Sequence, residues 1–386
     1  MMDLVTNKMD SHDLEFQLNF PGFKCYSNEF KAILEITEKS DLNAVHPFLN
    51  QHKGELILCF FSYEMKAILH DLPSSNQAIS TFPKAIFAVP KTSSKESFQE
   101  GNSTFYPSEI DLKFPSFEHY DRQFSKIQEH IQRGDIYETN FCIAPQLNGK
   151  IDPYQSYLNL TKNNRAPFNG FIRFGNQFLM CCSPERFMKK EGMKLISQPI
   201  KGTIRRGANH VEDELLMQQL KSDPKETAEN IMIVDLVRND LSQLAERNSV
   251  KVEQLNQVES FKTVHQLVST ITCKLRENIN FLDILKATFP MGSMTGAPKR
   301  RAMEIMEELE DFQRGLYSGS IGYIDGEGNF DFNVVIRSIV YDGTAEVASF
   351  PVGSAITFKS ESAKEYEECK LKAKSMIKSL TRDGKS

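Results

Sequence analysis

Two pairs of glutamates stand out by their spacing. Glu226 and Glu229 lie in PKETAEN, and Glu365 and Glu368 lie in AKEYEECKLKA. The three-residue interval puts both carboxylates of a pair on one side of a helix, and Pro224 suits the first turn of the earlier one. Like charges so placed repel mildly, and a solvated face is the plainer account of either pair alone. Two facing pairs would instead form an oxygen-rich cage for a hard cation such as magnesium, and through it for a substrate carboxylate. Lys201, in ISQPIKGTIRRG, follows a strand-like segment. Most lysines keep their charge in water, but one held in a desolvated pocket loses its proton more readily and can act as nucleophile or base. Glu185, in CCSPERF, becomes a general acid if burial raises its pKa, with an ion pair to Arg186 as the competing account. His265, in KTVHQLVST, is a lone histidine on an apolar element, a setting more often structural than catalytic. The segment FPMGSMTGAPKRRAMEIMEELE runs from a small-residue loop into a helix, with Pro298 suited to the first turn and Lys299, Arg300 and Arg301 behind it. Such an end can receive an anion, although the residue order of a P-loop is absent.

These side chains need elements to hold them. From Phe20 to about Val89 the chain reads as short strands and loops, and the apolar run from Leu56 to Phe61 reads as a buried strand. The polar stretch from Lys91 to Glu109 has no periodicity and is expected to be a linker or surface excursion. Tyr120, Phe124, Ile127 and Ile131 recur at helical spacing, Gly134 and Asp135 stop that helix, and a strand is expected around Tyr137 to Ala144. Helices follow from Val211 to Leu220, from Pro224 to Val237, and after Pro298. Strands are expected from Gly319 to Ile324 and from Val334 to Tyr341. Strands and helices that do not alternate regularly favour an α+β fold with antiparallel sheets.

Composition narrows the function classes. Lys and Arg number 46 against 51 Asp and Glu, a net charge of -5 with no long basic run, so nucleic acid and anionic membrane are not expected partners. The seven cysteines are scattered without zinc or redox spacing, which suits reduced thiols in the cytoplasm. The N-terminal stretch MMDLVTNKMDSHDLEF is interrupted by acids and no apolar run is long enough to span a bilayer, so neither secretion nor insertion is expected.

Taken together, the segments resemble the chorismate-utilising enzymes, among them anthranilate, aminodeoxychorismate, isochorismate and salicylate synthases. The landmarks run in one order from about Tyr120 to Lys374: GDIYETNF, SPERF, PIKGT, KETAEN with IMIVDLVRNDL, the His265 segment, GSMTGAPKRRAMEIMEELE, RGLYSGSIGY, VVIRS and EYEECKLKA. SYEMK is a weaker signature before them. The resemblance implies an α+β sandwich of antiparallel sheets with outer helices, in which residues 1–112 pack into the same body as a catalytic region over 113–380. It implies that Glu226, Glu229, Glu365 and Glu368 hold Mg2+, that the metal binds the ring carboxylate of chorismate, and that Glu185 protonates the departing 4-hydroxyl. Arg337, Lys372, the Gly353 loop and Thr295 would receive the substrate's carboxylates, with Thr203 and His265 as further substrate contacts.

Two positions choose among family members. Lys201 stands where aminodeoxychorismate synthases have lysine and anthranilate synthases alanine; the implied step is attack of its amine on C2 with loss of the 4-hydroxyl, after which ammonia enters at C4 and expels the lysine. A neutral amine is needed near pH 7, so the pocket is expected to depress the pKa of Lys201 by partial burial and nearby positive charge, mainly in the metal-bound, substrate-closed state, since the four glutamates push the other way unless magnesium offsets them. Glu138 stands where isochorismate and salicylate synthases carry a lysine that activates water, which argues against water as nucleophile. The expectation is a transferase that makes 4-amino-4-deoxychorismate for p-aminobenzoate and folate synthesis. Its ammonia would come from a separate glutamine amidotransferase subunit, since no cysteine here sits in a nucleophile-elbow setting. The alternatives are amination at C2 with pyruvate release, as in anthranilate synthase, and a non-catalytic chorismate-binding protein. Departures from the family pattern are Asn230 for a histidine, Lys359 for a frequent aspartate, and Ser354 and Ala355 in a glycine-rich turn, where a side chain at Ala355 would crowd the carboxylate if the position needs positive φ.

Overall fold

In the computed structural model, which describes residues 13–94, 111–261 and 264–381, the apolar run near residue 57 becomes the strand Ile57–Phe61, buried along its whole length. Leu58 and Phe60 enter one apolar core, and Ile57, Cys59 and Phe61 enter another. A strand enclosed on both faces needs no polar alternation. It lies within a ten-stranded antiparallel sheet whose path is Ile200–Arg205, Val264–Lys274, Lys194–Gln198, Arg186–Glu191, Phe330–Asn333, Ser320–Ile324, Ile57–Phe61, Ala85–Pro90 and Phe30–Ile36; Lys251–Ser260 pairs along Val264–Lys274.

A second, eight-stranded sheet runs Phe23–Ser27, Leu14–Phe20, Phe168–Phe174, Gln177–Ser183, Ser338–Asp342, Val347–Ser349, Gln146–Asn148 and Asp111–Lys113. Phe16, Ile172, Leu179 and Val340 from this sheet meet Leu58, Phe60, Ile86 and Ile321 from the other, which forms the sandwich core. Helices Phe117–Gln132, Pro153–Asn164, Lys299–Leu309 and Ser362–Leu380 bury their apolar sides against the outer face of the eight-stranded sheet, around Phe171, Met180 and Ile339. Leu42–Gln51, Pro224–Ser242 and Phe281–Thr288 cover the other sheet in the same way. This is the expected α+β sandwich with outer helices. Strands from before residue 112 pair with later ones in both sheets: Leu14–Phe20 with Phe168–Phe174, and Ile57–Phe61 with Ser320–Ile324.

Local differences from the sequence reading have local causes. The helix carrying Tyr120 and Phe124 starts at Phe117 because Ser116 caps it, its side chain accepting from the His119 N–H at 3.2 Å. The helix from Pro224 runs on to Ser242 because Leu241 is still core. Pro298 is the extended residue before its helix rather than part of the first turn. The strand expected from Val334 begins only at Ser338, because Arg337 adopts a left-handed φ of 51°. Most of the expected linker, residues 95–109, and the N-terminal stretch through residue 12 lie outside the described residues. All seven cysteines are buried and free of disulfides, and among the described residues no helix is long and apolar enough to cross a membrane.

Candidate active site

A cavity of ≈ 420 Å³ opens where a small sheet, Gly296–Ala297, Glu138–Ile143 and Val352–Thr357, meets Ile200–Arg205 and two helices. Asp223 sets the first helix: its carboxylate accepts from the N–H groups of Lys225 (2.9 Å) and Glu226 (3.1 Å), with Pro224 in the first turn. Ile233, Val234 and Val237 then face the core while Glu226 and Glu229 line the cavity. In Ser362–Leu380, Cys369, Ala373 and Met376 are core, and Glu365, Glu368 and Lys372 line the cavity. A register shift between Lys201 and Thr203 brings the strand's backbone inward at Gly202, which has φ of 65° and where a Cβ would lie 3.0 Å from a Glu226 oxygen. Gly353 is held for a similar reason, since a Cβ there would meet the Cys142 sulfur at 2.8 Å.

Lys201 points into this space with 11% of its side chain exposed, and its Nζ donates to Glu138 Oε1 at 2.8 Å. Glu138 is buried, and its second carboxylate oxygen has no hydrogen-bond partner. Burial alone would lower the lysine's pKa, but the carboxylates of Glu138, Glu229 and Glu185 outweigh it and hold the amine protonated, above its ordinary range. The carboxylates thus push the amine up, the direction expected of them where no magnesium charge offsets theirs. Burial pushes Glu185 up to about 7, against a hydrogen bond from Ser293 and the charge of Lys201. The competing ion pair is absent, because Arg186 bonds to Asp331 at 2.8 Å instead. Glu229 is likewise raised by burial to about 7, opposed by Lys201, and Glu226 is raised by burial and then by Glu368.

Burial works against the charge of Glu368 too, but Lys372 overrides it and holds the carboxyl below its usual range. Lys372 Nζ donates to Glu368 Oε1 at 2.6 Å and to the Gly353 carbonyl at 2.7 Å, and Arg337 Nη1 donates to the Lys372 carbonyl at 3.1 Å. The two glutamate pairs do face each other across the cavity, with an ammonium between them. Lys225 Nζ lies 2.8 Å from Glu365 Oε1 and 3.8 Å from Glu229 Oε1. Among the described residues no three His, Cys, Asp or Glu side chains are gathered closely enough to hold a metal ion as they stand.

Ten of the twelve expected site residues line the cavity: Glu185, Lys201, Thr203, Glu226, Glu229, Arg337, Gly353, Glu365, Glu368 and Lys372. Two do not. The Thr295 hydroxyl donates to the Met291 carbonyl at 3.1 Å. His265 is fully buried between Ser260 Oγ (2.8 Å) and Asp213 (2.9 Å), the structural setting that a lone histidine suggests. The basic residues behind Pro298 are also engaged: Lys299 pairs with Asp240 at 2.6 Å, and Arg300 and Arg301 pair with Glu304. Ala355 lies in regular strand rather than at positive φ, so its methyl group causes no backbone strain. Asn230 donates to Asn256 Oδ1 at 2.6 Å and to Ser269 Oγ at 3.0 Å. The sequence reading did not single out Asn140, Ser293 and Tyr317, which also line the cavity; each lies inside a landmark segment, and that was the available signal. Nor did it reach Arg314, a fully buried guanidinium that donates to both oxygens of Glu310 (2.6 and 2.8 Å) and to the carbonyls of Asn140 (2.9 Å) and Met294 (2.7 Å), while stacking over Tyr63.

Comparison with known proteins fits this geometry. The family profile described as chorismate binding enzyme matches residues 23–378. The chain belongs to the chorismate-binding enzyme family. Among relatives, it is 46% identical over 266 residues to a protein named aminodeoxychorismate synthase, chloroplastic, of Arabidopsis thaliana, covering 67% of this chain and 28% of that one. To aminodeoxychorismate synthase component 1 of Escherichia coli (strain K12) it is 40% identical over 263 residues, covering 68% of this chain and 58% of that one. The chain thus spans less than two thirds of either relative. Among solved chorismate-binding folds, anthranilate synthase component I from Streptococcus pneumoniae superposes with a TM-score of 0.80 over 97% of this chain and 95% of that one at 24% identity, a likeness of fold.

Proposed function

We propose that this chain aminates chorismate at C4 to give 4-amino-4-deoxychorismate, the route to p-aminobenzoate and folate, with ammonia from a separate glutamine amidotransferase subunit. The observation that carries the reading is Lys201, an amine inside a cavity that also holds a buried acid and the cations Arg337 and Lys372. The names of the relatives support C4 over C2, and the words "component 1" support a second subunit. The neutral Lys201 amine attacks C2, the double bonds shift and the C4–O bond breaks. Glu185, protonated up to about pH 7, gives its proton so that the hydroxyl leaves as water. Ammonia then forms the C4–N bond, the C2–N bond breaks with its electron pair returning to Lys201, and the excess proton of the new ammonium restores Glu185. Arg337 and Lys372 suit the substrate's carboxylates by charge-assisted hydrogen bonds, with the backbone at Gly353 and the Thr203 hydroxyl alongside.

Glu226, Glu229, Glu365 and Glu368 would hold magnesium, which when bound offsets their charge and binds the ring carboxylate. The donor set is all oxygen, and Glu229 Oε1 and Glu365 Oε2 are buried without hydrogen-bond partners. Lys225, with 41% of its side chain exposed, can withdraw into water to release Glu365. The same reading takes residues 1–112 as part of the catalytic body, supported by their strand pairing, and the cytoplasm as the compartment, supported by the free thiols. The test supplies the purified chain with chorismate, magnesium and ammonium and identifies the product by mass. Aminated chorismate without pyruvate is expected. Anthranilate with stoichiometric pyruvate would replace the reading with C2 amination, and no consumption would leave a binding protein.

A further inference from the structure

The nucleophile of the proposed reaction rests as an ammonium, and although Lys225, Arg337 and Lys372 line the same cavity, the acids that face it favour that state. They are Glu138 on the strand Glu138–Ile143, Glu185 after the strand Gln177–Ser183, Glu226 and Glu229 on the helix from Pro224, and Glu368 on the C-terminal helix. Attack on C2 needs a free electron pair on Nζ, so its proton must pass to a neighbouring group. Glu185 cannot take it, since that residue has to arrive protonated and deliver. Glu226, Glu229 and Glu368 belong to the proposed cation cage. Glu138 is different: it is 1% exposed, contacts the amine directly at 2.8 Å, and no other donor among the described residues reaches its second oxygen. A buried carboxylate with a single partner is costly to maintain, and an ion pair and a neutral pair lie closer in free energy there than in water.

We propose that Glu138 is the proton store of Lys201, holding the amine in position as an ion pair and accepting its proton as attack begins. The inference rests on Lys201 being the nucleophile. One proton passes from Nζ to Glu138 Oε1, which leaves a neutral amine and a neutral carboxylic acid. When ammonia displaces the lysine, the amine departs with the electron pair of the C2–N bond and recovers the same proton from Oε1, so the store is refilled at each turnover. Glu138 acts through Lys201 and is a positioning residue rather than a group in contact with substrate.

The test follows the Lys201 adduct formed with chorismate and magnesium in the absence of ammonia, by rapid quench and peptide mass spectrometry, in the wild-type chain and in Glu138→Gln. Wild-type formation should follow the Glu185 acid alone, falling as pH rises from about 7 to 9, because the proton of Lys201 moves within the pair. In Glu138→Gln it should be about a hundredfold slower near pH 7, and the ratio of the variant's rate to the wild type's should climb about tenfold per pH unit, because the proton must reach solvent. The steady-state KM for chorismate should stay within about twofold while kcat falls. A counter-ion with no proton to carry predicts the opposite sign: losing its charge lowers the lysine's pKa and speeds attack. Adduct formation in Glu138→Gln as fast as wild type or faster would therefore overturn the proposal. Glu138→Asp keeps a carboxylate and should keep the wild-type profile at a reduced rate; a ratio to wild type that climbs with pH there would overturn it even if the glutamine variant fails to fold. Amination by the wild type with no adduct at Lys201 would remove the nucleophile and the proposal together, a result distinct from an unaffected Glu138→Gln.

Discussion

Replacing Glu185 by glutamine should alter how stability depends on pH as well as how fast the protein reacts. Burial raises the Glu185 carboxyl from 4.5 to about 7 in the folded chain, so the folded state holds that proton more tightly than the unfolded state does. Its contribution to stability is fully present below the unfolded value and is lost as pH rises through 7. At about 1.36 kcal/mol per unit, the rise corresponds to about 3 kcal/mol. Glutamine has a similar shape and no proton to lose, so this decline disappears in Glu185→Gln. Urea unfolding of both proteins at a series of pH values isolates the difference, since most other titrating groups are common to both and cancel. The wild type should lose about 3 kcal/mol relative to the variant between about pH 4.5 and 8. Parallel curves would refute the idea that desolvation of this carboxyl keeps it protonated. The kinetic counterpart is a fall in kcat of about 10² to 10⁴ in the variant, as expected for loss of a general acid.

Two further variants probe the cavity wall. Glu229→Gln and Glu368→Gln should weaken magnesium-dependent chorismate binding in calorimetry while both variants keep the wild-type circular dichroism spectrum; unchanged magnesium dependence in both would mean that the cation sits elsewhere. Arg314→Met should cost about 3 to 5 kcal/mol in urea unfolding, because Glu310 is left as an uncompensated buried charge, and a loss near zero would show that Glu310 is neutral in the fold.

Much of the site could be read from the sequence because its residues come in short segments with fixed internal spacing. Glu226 and Glu229 share a helix face by arithmetic, and so do Glu365 and Glu368. Apolar periodicity likewise revealed the helix carrying Tyr120 and Phe124, and the buried strand at Ile57–Phe61. What stayed hidden were contacts between residues far apart in the chain. Lys201 and Glu138 are 63 positions apart, and Lys225 and Glu365 are 140 apart. No local pattern reports that the ammonium of Lys201 will lie against Glu138 and that of Lys225 between two acidic pairs. Arg314 was hidden for a related reason: an arginine usually reads as surface, and only the convergence of Glu310, Asn140, Met294 and Tyr63 makes its burial tolerable. His265 shows the converse, a position whose family resemblance pointed to substrate while its packing against Ser260 and Asp213 points away from the cavity.

The strand pairing across residue 112 carries a consequence for any attempt to divide the molecule. A fragment starting after that point would expose one edge of Phe168–Phe174 in the first sheet and one edge of Ser320–Ile324 in the second, each a row of unpaired backbone groups ready to recruit strands from other copies. It would also bare Ile321, Leu179 and Val340, whose apolar partners Phe16, Leu58 and Phe60 lie on the missing piece. The early strands therefore act as the protein's own guard against self-association, and shortening the chain to its catalytic residues would give up solubility before it gave up chemistry.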